Sequence, residues 1–187
     1  QAGGVARVAL TGTVDATFAP VVAFPGGMVN AFAKQSDGKL VVVGDFLTVN
    51  GNLRLNAFRM NTDGTLDTNW NPAPSGRVNF VAVDGTGVYL AGLFGSAGGA
   101  PRMNLAKVDL PTGAAVPGFV ADPDGEVMKI RVSGSNLFAV GSFFWLNGAY
   151  AARVVRLDAA TGAIGAGWDW SNLATFNNVA NSLEISP

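Results

Sequence analysis

Four cations recur at one place in this sequence: Arg7, Arg59, Lys107 and Arg156, the last three standing two residues before Asn61, Asp109 and Asp158. Two chemistries suit such a series. Cations lining a channel would bind an anionic ligand, whereas cations that each meet a nearby turn carboxylate or carbonyl would tie adjacent strands. The repetition favours ties, because a structural duty recurs with the fold. Arg54 and Arg102, each followed two residues later by Asn, read the same way, and Ala151 takes their place later in the chain. Asp63, Asp67, Asp84, Asp122 and Asp124 fall in turn-like segments. Calcium wants about six to eight oxygens, and no segment has the dense Asp/Asn spacing of a calcium loop. Asp in an Asp-Gly turn ordinarily caps its own backbone, so no metal site is expected.

The chain has neither His nor Cys. That removes the commonest general base and metal ligand, the thiolate nucleophile and any disulfide framework. Only Asp and Glu remain for acid-base work of the glycoside-hydrolase kind. Glu126 and Glu184 are the only glutamates and form no recognisable pair. No catalytic residue and no cofactor is expected.

The remaining chemistry is aromatic. Phe144 and Trp145 stand where corresponding segments carry Leu47-Thr48 and Gly95-Ser96; Tyr150 lies in the adjoining loop and Trp170 in a longer tail. Exposed loop aromatics serve sugar stacking or protein contact. Packing under the longer loop, or against a neighbouring unit, is the competing reading, and both stay open.

The elements that must hold these residues are written as a repeat. Val41-Val42-Val43-Gly44-Asp45-Phe46, Tyr89-Leu90-Ala91-Gly92-Leu93-Phe94 and Phe138-Ala139-Val140-Gly141-Ser142-Phe143 place Gly44, Gly92 and Gly141 at a period of about 49 residues. Phe18, Trp70, Phe119 and Trp168 close successive units at a similar spacing. In the middle unit, Val78–Val83 alternates with period two and ends at Asp84-Gly85-Thr86-Gly87, a turn. Val88–Gly92 is a nearly continuous apolar run, the mark of a strand covered on both faces. Asn104–Asp109 is a third strand, and Pro111-Thr112-Gly113 turns into a fourth segment ending at Phe119. Four linked strands of this kind cannot bury both faces alone, and stacking copies radially makes a β-propeller. A linear β-solenoid usually needs fewer residues per coil, and a β-sandwich would not repeat so regularly.

The expectation is therefore an all-β chain, one β-propeller segment over 1–187 with four-stranded antiparallel blades. The repeats run at approximately 1–20 (partial), 29–72, 78–120, 127–170 and 179–187 (partial), giving three full blades and partial blades at both ends. The start, Gln1-Ala2-Gly3-Gly4, lacks an initiator Met and a signal-peptide pattern, which reads as a mature, processed or excised piece. The two open faces would then be covered by a protein partner or by remaining blades of the same protein. Of 187 residues 49% are hydrophobic and 13% charged, with net charge −1 and no run of either sign. This offers no footprint for nucleic acid, and no apolar stretch approaches the roughly 20 residues that membrane insertion by a helix needs.

Gln35-Ser36-Asp37-Gly38-Lys39-Leu40-Val41-Val42-Val43-Gly44-Asp45-Phe46-Leu47-Thr48-Val49-Asn50-Gly51, with Arg54, Asn56 and Asn61-Thr62-Asp63-Gly64-Thr65-Leu66-Asp67-Thr68-Asn69-Trp70-Asn71-Pro72, resembles the delta-60 repeat of bacterial secreted and surface proteins. The later units resemble its variant with a Leu157-Asp158-Ala159-Ala160-Thr161-Gly162 turn. The resemblance implies a β-propeller-like module of a large exported protein, extracellular or at the cell surface, often beside adhesion-type domains. It implies no enzyme activity. Gly95-Ser96-Ala97-Gly98-Gly99 and Phe143-Phe144-Trp145-Leu146 depart from the family's loop. The Leu157–Gly162 turn is also similar to the blade motif of quinone-dependent dehydrogenases. There, however, a Trp follows the Gly more closely than Trp168 follows Gly162, and the vicinal cysteines are lacking. The expected function is a non-enzymatic structural or interaction module, a scaffold or adhesion surface. The runner-up is a carbohydrate-binding propeller using Phe144, Trp145, Tyr150 and Trp170.

Overall fold

The computed structural model describes residues 6–16, 18, 22–23, 27–167 and 180–184, and among these it contains strands and no helix. The first unit comprises β1 (Val22–Ala23), β2 (Met28–Lys34), β3 (Leu40–Asp45), β4 (Thr48–Val49), β5 (Asn52–Leu53) and β6 (Ala57–Met60). The second comprises β7 (Val78–Asp84), β8 (Gly87–Gly92), β9 (Ser96–Ala97), β10 (Ala100–Pro101) and β11 (Leu105–Val108). The third comprises β12 (Val127–Ser133), β13 (Asn136–Gly141), β14 (Trp145–Leu146), β15 (Ala149–Tyr150) and β16 (Val154–Asp158). Each unit builds one antiparallel three-stranded sheet, β2-β3-β6, β7-β8-β11 and β12-β13-β16, with the apolar run in the centre.

The sheets are three-stranded where four strands were expected. The fourth segment makes a single bridge to the third strand in each unit, Met60↔Leu66, Val108↔Ala115 and Leu157↔Ile164. It then turns away: Phe119 N donates to Val116 O, as Phe18 N does to Asp15 O in the segment before the first unit. Pairing stops because the closing aromatic must leave the sheet edge to reach the next unit. Three two-residue ribbons stand in the loops instead. Two are the hairpins β9-β10 and β14-β15; in the first unit β4-β5 also pairs with β1.

The three repeat glycines have one cause. Each lies opposite a register shift in the first strand, between Val29 and Ala31, Val78 and Phe80, and Val127 and Lys129. A Cβ on Gly44, Gly92 or Gly141 would fall on the carbonyl oxygen of Met28, Arg77 or Glu126. The bulge brings a carbonyl into the space a side chain would occupy.

Strand alternation sends the central strands' side chains to two joints. Val41 and Val43 meet Val88 and Leu90 between the first and second sheets, with Trp70 and Val108 in the same cluster. Tyr89 and Ala91 meet Leu137 and Ala139 between the second and third, with Phe119 and Phe143. Val42 turns the other way, onto Phe18, Phe46 and Phe58. Each fully buried Val or Leu contributes about 1.5–3 kcal/mol, so the joints hold the run together. The outward faces differ. Phe32, in register with Val81 and Ile130, is 65% exposed where those two are buried. At the far side Lys129 and Arg131 stand in register with Ala31 and Ala33, and reach Ser182 Oγ at 3.2 Å and Glu184 Oε1 at 3.1 Å.

Candidate functional site

Three of the four recurrent cations lie in the joints, while Arg156 donates to Ala166 O of its own unit. Arg7 Nη1 donates to Thr62 O at 3.2 Å, Arg59 Nη1 donates to Leu110 O, and Lys107 Nζ donates to Ala159 O at 2.9 Å. Thr62, Leu110 and Ala159 are one repeat position, so each cation holds the turn of the following unit. Arg59 and Lys107 are both only 4% exposed. Arg59 also donates through Nε to Asp67 Oδ2 at 3.0 Å, and Lys39 Nζ reaches the same oxygen at 2.9 Å. Burial pushes the Asp67 carboxyl up, but hydrogen bonds from Lys39 and Arg59, with the Arg59 charge, more than offset it and hold it below the usual carboxylate range. A channel-lining reading has no counterpart here, because the guanidinium donors are engaged in ties. Arg54 and Arg102 likewise donate to carbonyls, Thr68 O at 3.0 Å and Val116 O at 3.3 Å.

Amides and aromatics repeat the pattern. Asn56 and Asn104 sit at φ 58 and 61, a conformation Asn tolerates. Each accepts from the peptide after its glycine run, Phe46 N at 3.1 Å and Phe94 N at 3.2 Å, and donates to the linker beyond, Pro74 O and Pro123 O at 3.0 Å. Asn30 Nδ2 reaches Val78 O at 2.9 Å and Asn79 Nδ2 reaches Val127 O at 3.0 Å. Trp70 Nε1 donates to Asp109 O at 3.1 Å, and Phe18 lies against Gly64. Phe119 packs edge-on to Tyr89 at 5.8 Å. Tyr89 OH stands 2.8 Å from Asp84 Oδ2 and 2.7 Å from Ala159 O. Burial first, and the Asp84 carboxylate second, push the Tyr89 hydroxyl well above its ordinary value. Asp84 is held low because bonds from Thr86 and Tyr89 outweigh its own burial.

The calcium candidates are turn residues. Asp63 Oδ1 accepts from Thr65 N at 2.9 Å, and Asp84 Oδ1 accepts from Thr86 N at 2.7 Å and Gly87 N at 2.9 Å. Among the described residues no three His, Cys, Asp or Glu side chains converge on a point that could hold a metal ion.

The aromatic residues form a different kind of place. Trp145 and Tyr150 are direct cross-strand partners on β14 and β15, with ring centroids 5.6 Å apart at 75°. Phe144 precedes them, with the Arg153 guanidinium 4.3 Å from its ring centre. Phe144, Trp145 and Tyr150 are 41%, 50% and 43% exposed. The structure thus brings three of the four proposed contact residues together at the surface; Trp170, like the closing residue Trp168, lies outside the described residues. The hairpin is clamped from below. Asp124 Oδ1 accepts from Phe144 N at 2.8 Å and Trp145 N at 3.0 Å, and Asp124 N donates to Trp145 O at 3.0 Å. Asn147 Oδ1 accepts from Asp122 N at 2.9 Å, and its Nδ2 reaches Val120 O at 3.1 Å. Ser75 Oγ does the work of Asp124 one unit earlier, accepting from Gly95 N and Ser96 N at 3.0 Å.

Sequence reasoning missed the ribbons and the clamp. Asn50-Gly51 and Asn147-Gly148 take φ 49/76 and 50/77, and Gly98-Gly99 takes 61/79. Two successive positive φ values make the tight hairpin turn for which Asn-Gly is the strongest short signal. Nothing in the sequence alone marks Asp124 as its foundation.

With that geometry in hand, residues 35–69 match the family model described as "Domain of unknown function (DUF5122) beta-propeller". The match covers β3 to β6 and runs into the fourth segment, leaving β2 outside it, and with the all-β structure it supports a β-propeller repeat architecture. No curated protein and no solved structure matches the chain.

Proposed function

We propose that the chain is a run of β-propeller blades of the delta-60 kind, each completed by its fourth segment, serving as a non-enzymatic structural or interaction module of a large exported bacterial surface protein. The observation behind this reading is where the reactive side chains go. Arg59, Lys107, Asn56 and Asn104 are all buried and engaged in joining one unit to the next, and Asp67 is buried against Arg59 within its own unit. The exposed hairpin aromatics are then what the scaffold presents to a partner, as an adhesion surface would. Phe32 marks the face that a protein partner or a further blade covers, because its counterparts Val81 and Ile130 are buried against a neighbouring sheet. The test is an activity screen run beside carboxylate variants. Asp67→Asn and Asp84→Asn change stability only, and any reproducible turnover lost in one of them at unaltered folding sinks the reading.

A further inference from the structure

The Trp145–Tyr150 hairpin and an open cavity of the second unit's loop share one residue, Asp124. This cavity of about 400 Å³ opens over Leu93 and Met103, with Gly95 and Asp124 in its wall. That volume is within the range of small-ligand sites. It exists because the second unit's loop carries Gly95-Ser96-Ala97 where the third carries Phe144-Trp145-Leu146. A small loop and an aromatic loop therefore stand next to one another, joined through the carboxylate that holds the aromatic one in place.

Resting on the reading of this hairpin as a presented binding surface, we propose that the corner between Trp145 and Tyr150, continued into the Leu93–Met103 cavity, binds a neutral oligosaccharide. Trp145 is half exposed and braced edge-to-face by Tyr150, so its free ring surface is held ready for one pyranose, whose C–H face is attracted to the negative face of an aromatic ring. The next sugar enters the cavity, where the exposed Asp124 carboxylate accepts from hydroxyl groups. That carboxylate repels an anionic ligand. An extended peptide is disfavoured for a separate reason: Trp145 N and O are both bonded to Asp124, so the outer edge of β14 is closed to an added strand. The corner needs no rearrangement to bind, since two linker side chains, Asp124 and Asn147, already fix the hairpin.

The test is a glycan array with the intact chain, followed by calorimetric titration of the strongest neutral oligosaccharide. Trp145→Ala is expected to weaken binding at least about tenfold, the equivalent of one lost stacking contact, with the unfolding temperature unchanged because the ring is half exposed. Gly95→Leu is the second variant. A Cβ there meets Ser75 Oγ at 3.8 Å and Met103 Sδ at 4.0 Å, both residues of the cavity wall, so a larger side chain grows into the cavity. It weakens the oligosaccharide and spares a monosaccharide. Absence of any neutral glycan binding, or affinity left within twofold by both variants, overturns the proposal. A protein ligand lost with Trp145→Ala, and no glycan bound, also overturns it while leaving the module reading intact. Turnover lost in Asp67→Asn does the reverse.

Discussion

Tyr89 stands where the other two units have Val41 and Phe138, and its hydroxyl is the one feature of that position the fold does not require. Tyr89→Phe keeps the ring, its edge contact with Phe119 and its place under Lys107 Nζ, 4.8 Å away. The variant removes an O–H that donates to Asp84 or Ala159 O. A hydrogen bond to a charged acceptor contributes about 1.5–3 kcal/mol. Ala159 O keeps Lys107, and Asp84 keeps the bonds of Thr86 and Gly87 to its Oδ1 and is itself only half-buried, so that Oδ2 regains water; the cost near neutral pH is therefore roughly 1–2 kcal/mol. The pH dependence is the sharper part. The folded hydroxyl titrates above its unfolded value of 10.0, so the proton it keeps is a stabilisation present below pH 10 and lost as pH rises beyond it. The loss amounts to at most about 1.4 kcal/mol per pH unit. Urea midpoints for parent and variant, measured from neutral pH to about pH 11, are therefore expected to converge above pH 10 and to coincide near the top of that range. A gap that stays constant up to pH 11 refutes the assignment of the Tyr89 proton to this joint.

Gly92→Ala places a methyl on the Arg77 carbonyl and is expected to cost about 3 kcal/mol or more in thermal unfolding. Gly118→Ala, which meets nothing within 4 Å, is the near-neutral control. Asn104→Ala removes two buried hydrogen bonds and leaves a non-glycine residue at φ 61; roughly 2–4 kcal/mol is expected, read from urea midpoints, and a loss under about 0.5 kcal/mol contradicts the tie. Asp67, Asp84 and Asp109 are all held below the ordinary carboxylate value of 3.8, so their stabilisation is present above that pH and disappears as pH falls through it toward the folded values. Asp67→Asn should flatten the acid limb of a stability curve, and an unchanged limb would contradict the ion pair's contribution.

The period, the central strands and the joint-facing alternation were legible because hydrophobic patterning records burial, and burial here repeats about every 49 residues. The fourth segment was legible only in part. Leu66, Ala115 and Ile164 carry the right apolar signal, but one bridge satisfies it before the backbone turns toward the next unit. The aromatic site was half legible. Phe144 and Trp145 departed from the repeat and so drew notice. Their geometry depends on a hairpin signalled by Asn147-Gly148 and on Asp124, twenty residues away from Phe144, whose bond to the hairpin no local pattern announces. The cation ties were legible as ties. That they cross to the next unit was not, since Leu110 O and Ala159 O are backbone atoms and leave no trace in residue type.

That last property frees one position of each receiving unit. In each cation tie the earlier unit supplies a particular side chain, whereas the later unit supplies only a main-chain carbonyl, from Thr62, Leu110 or Ala159. The receiving position is thus free to change its residue without loss of the tie, while other contacts across the joints, such as Arg77 with Glu126, still require matched side chains. A tie specified from one side only lets the loops diverge around it, as the hairpin carrying Trp145 and Tyr150 has diverged from Ser96-Ala97 and Ala100-Pro101 one unit earlier.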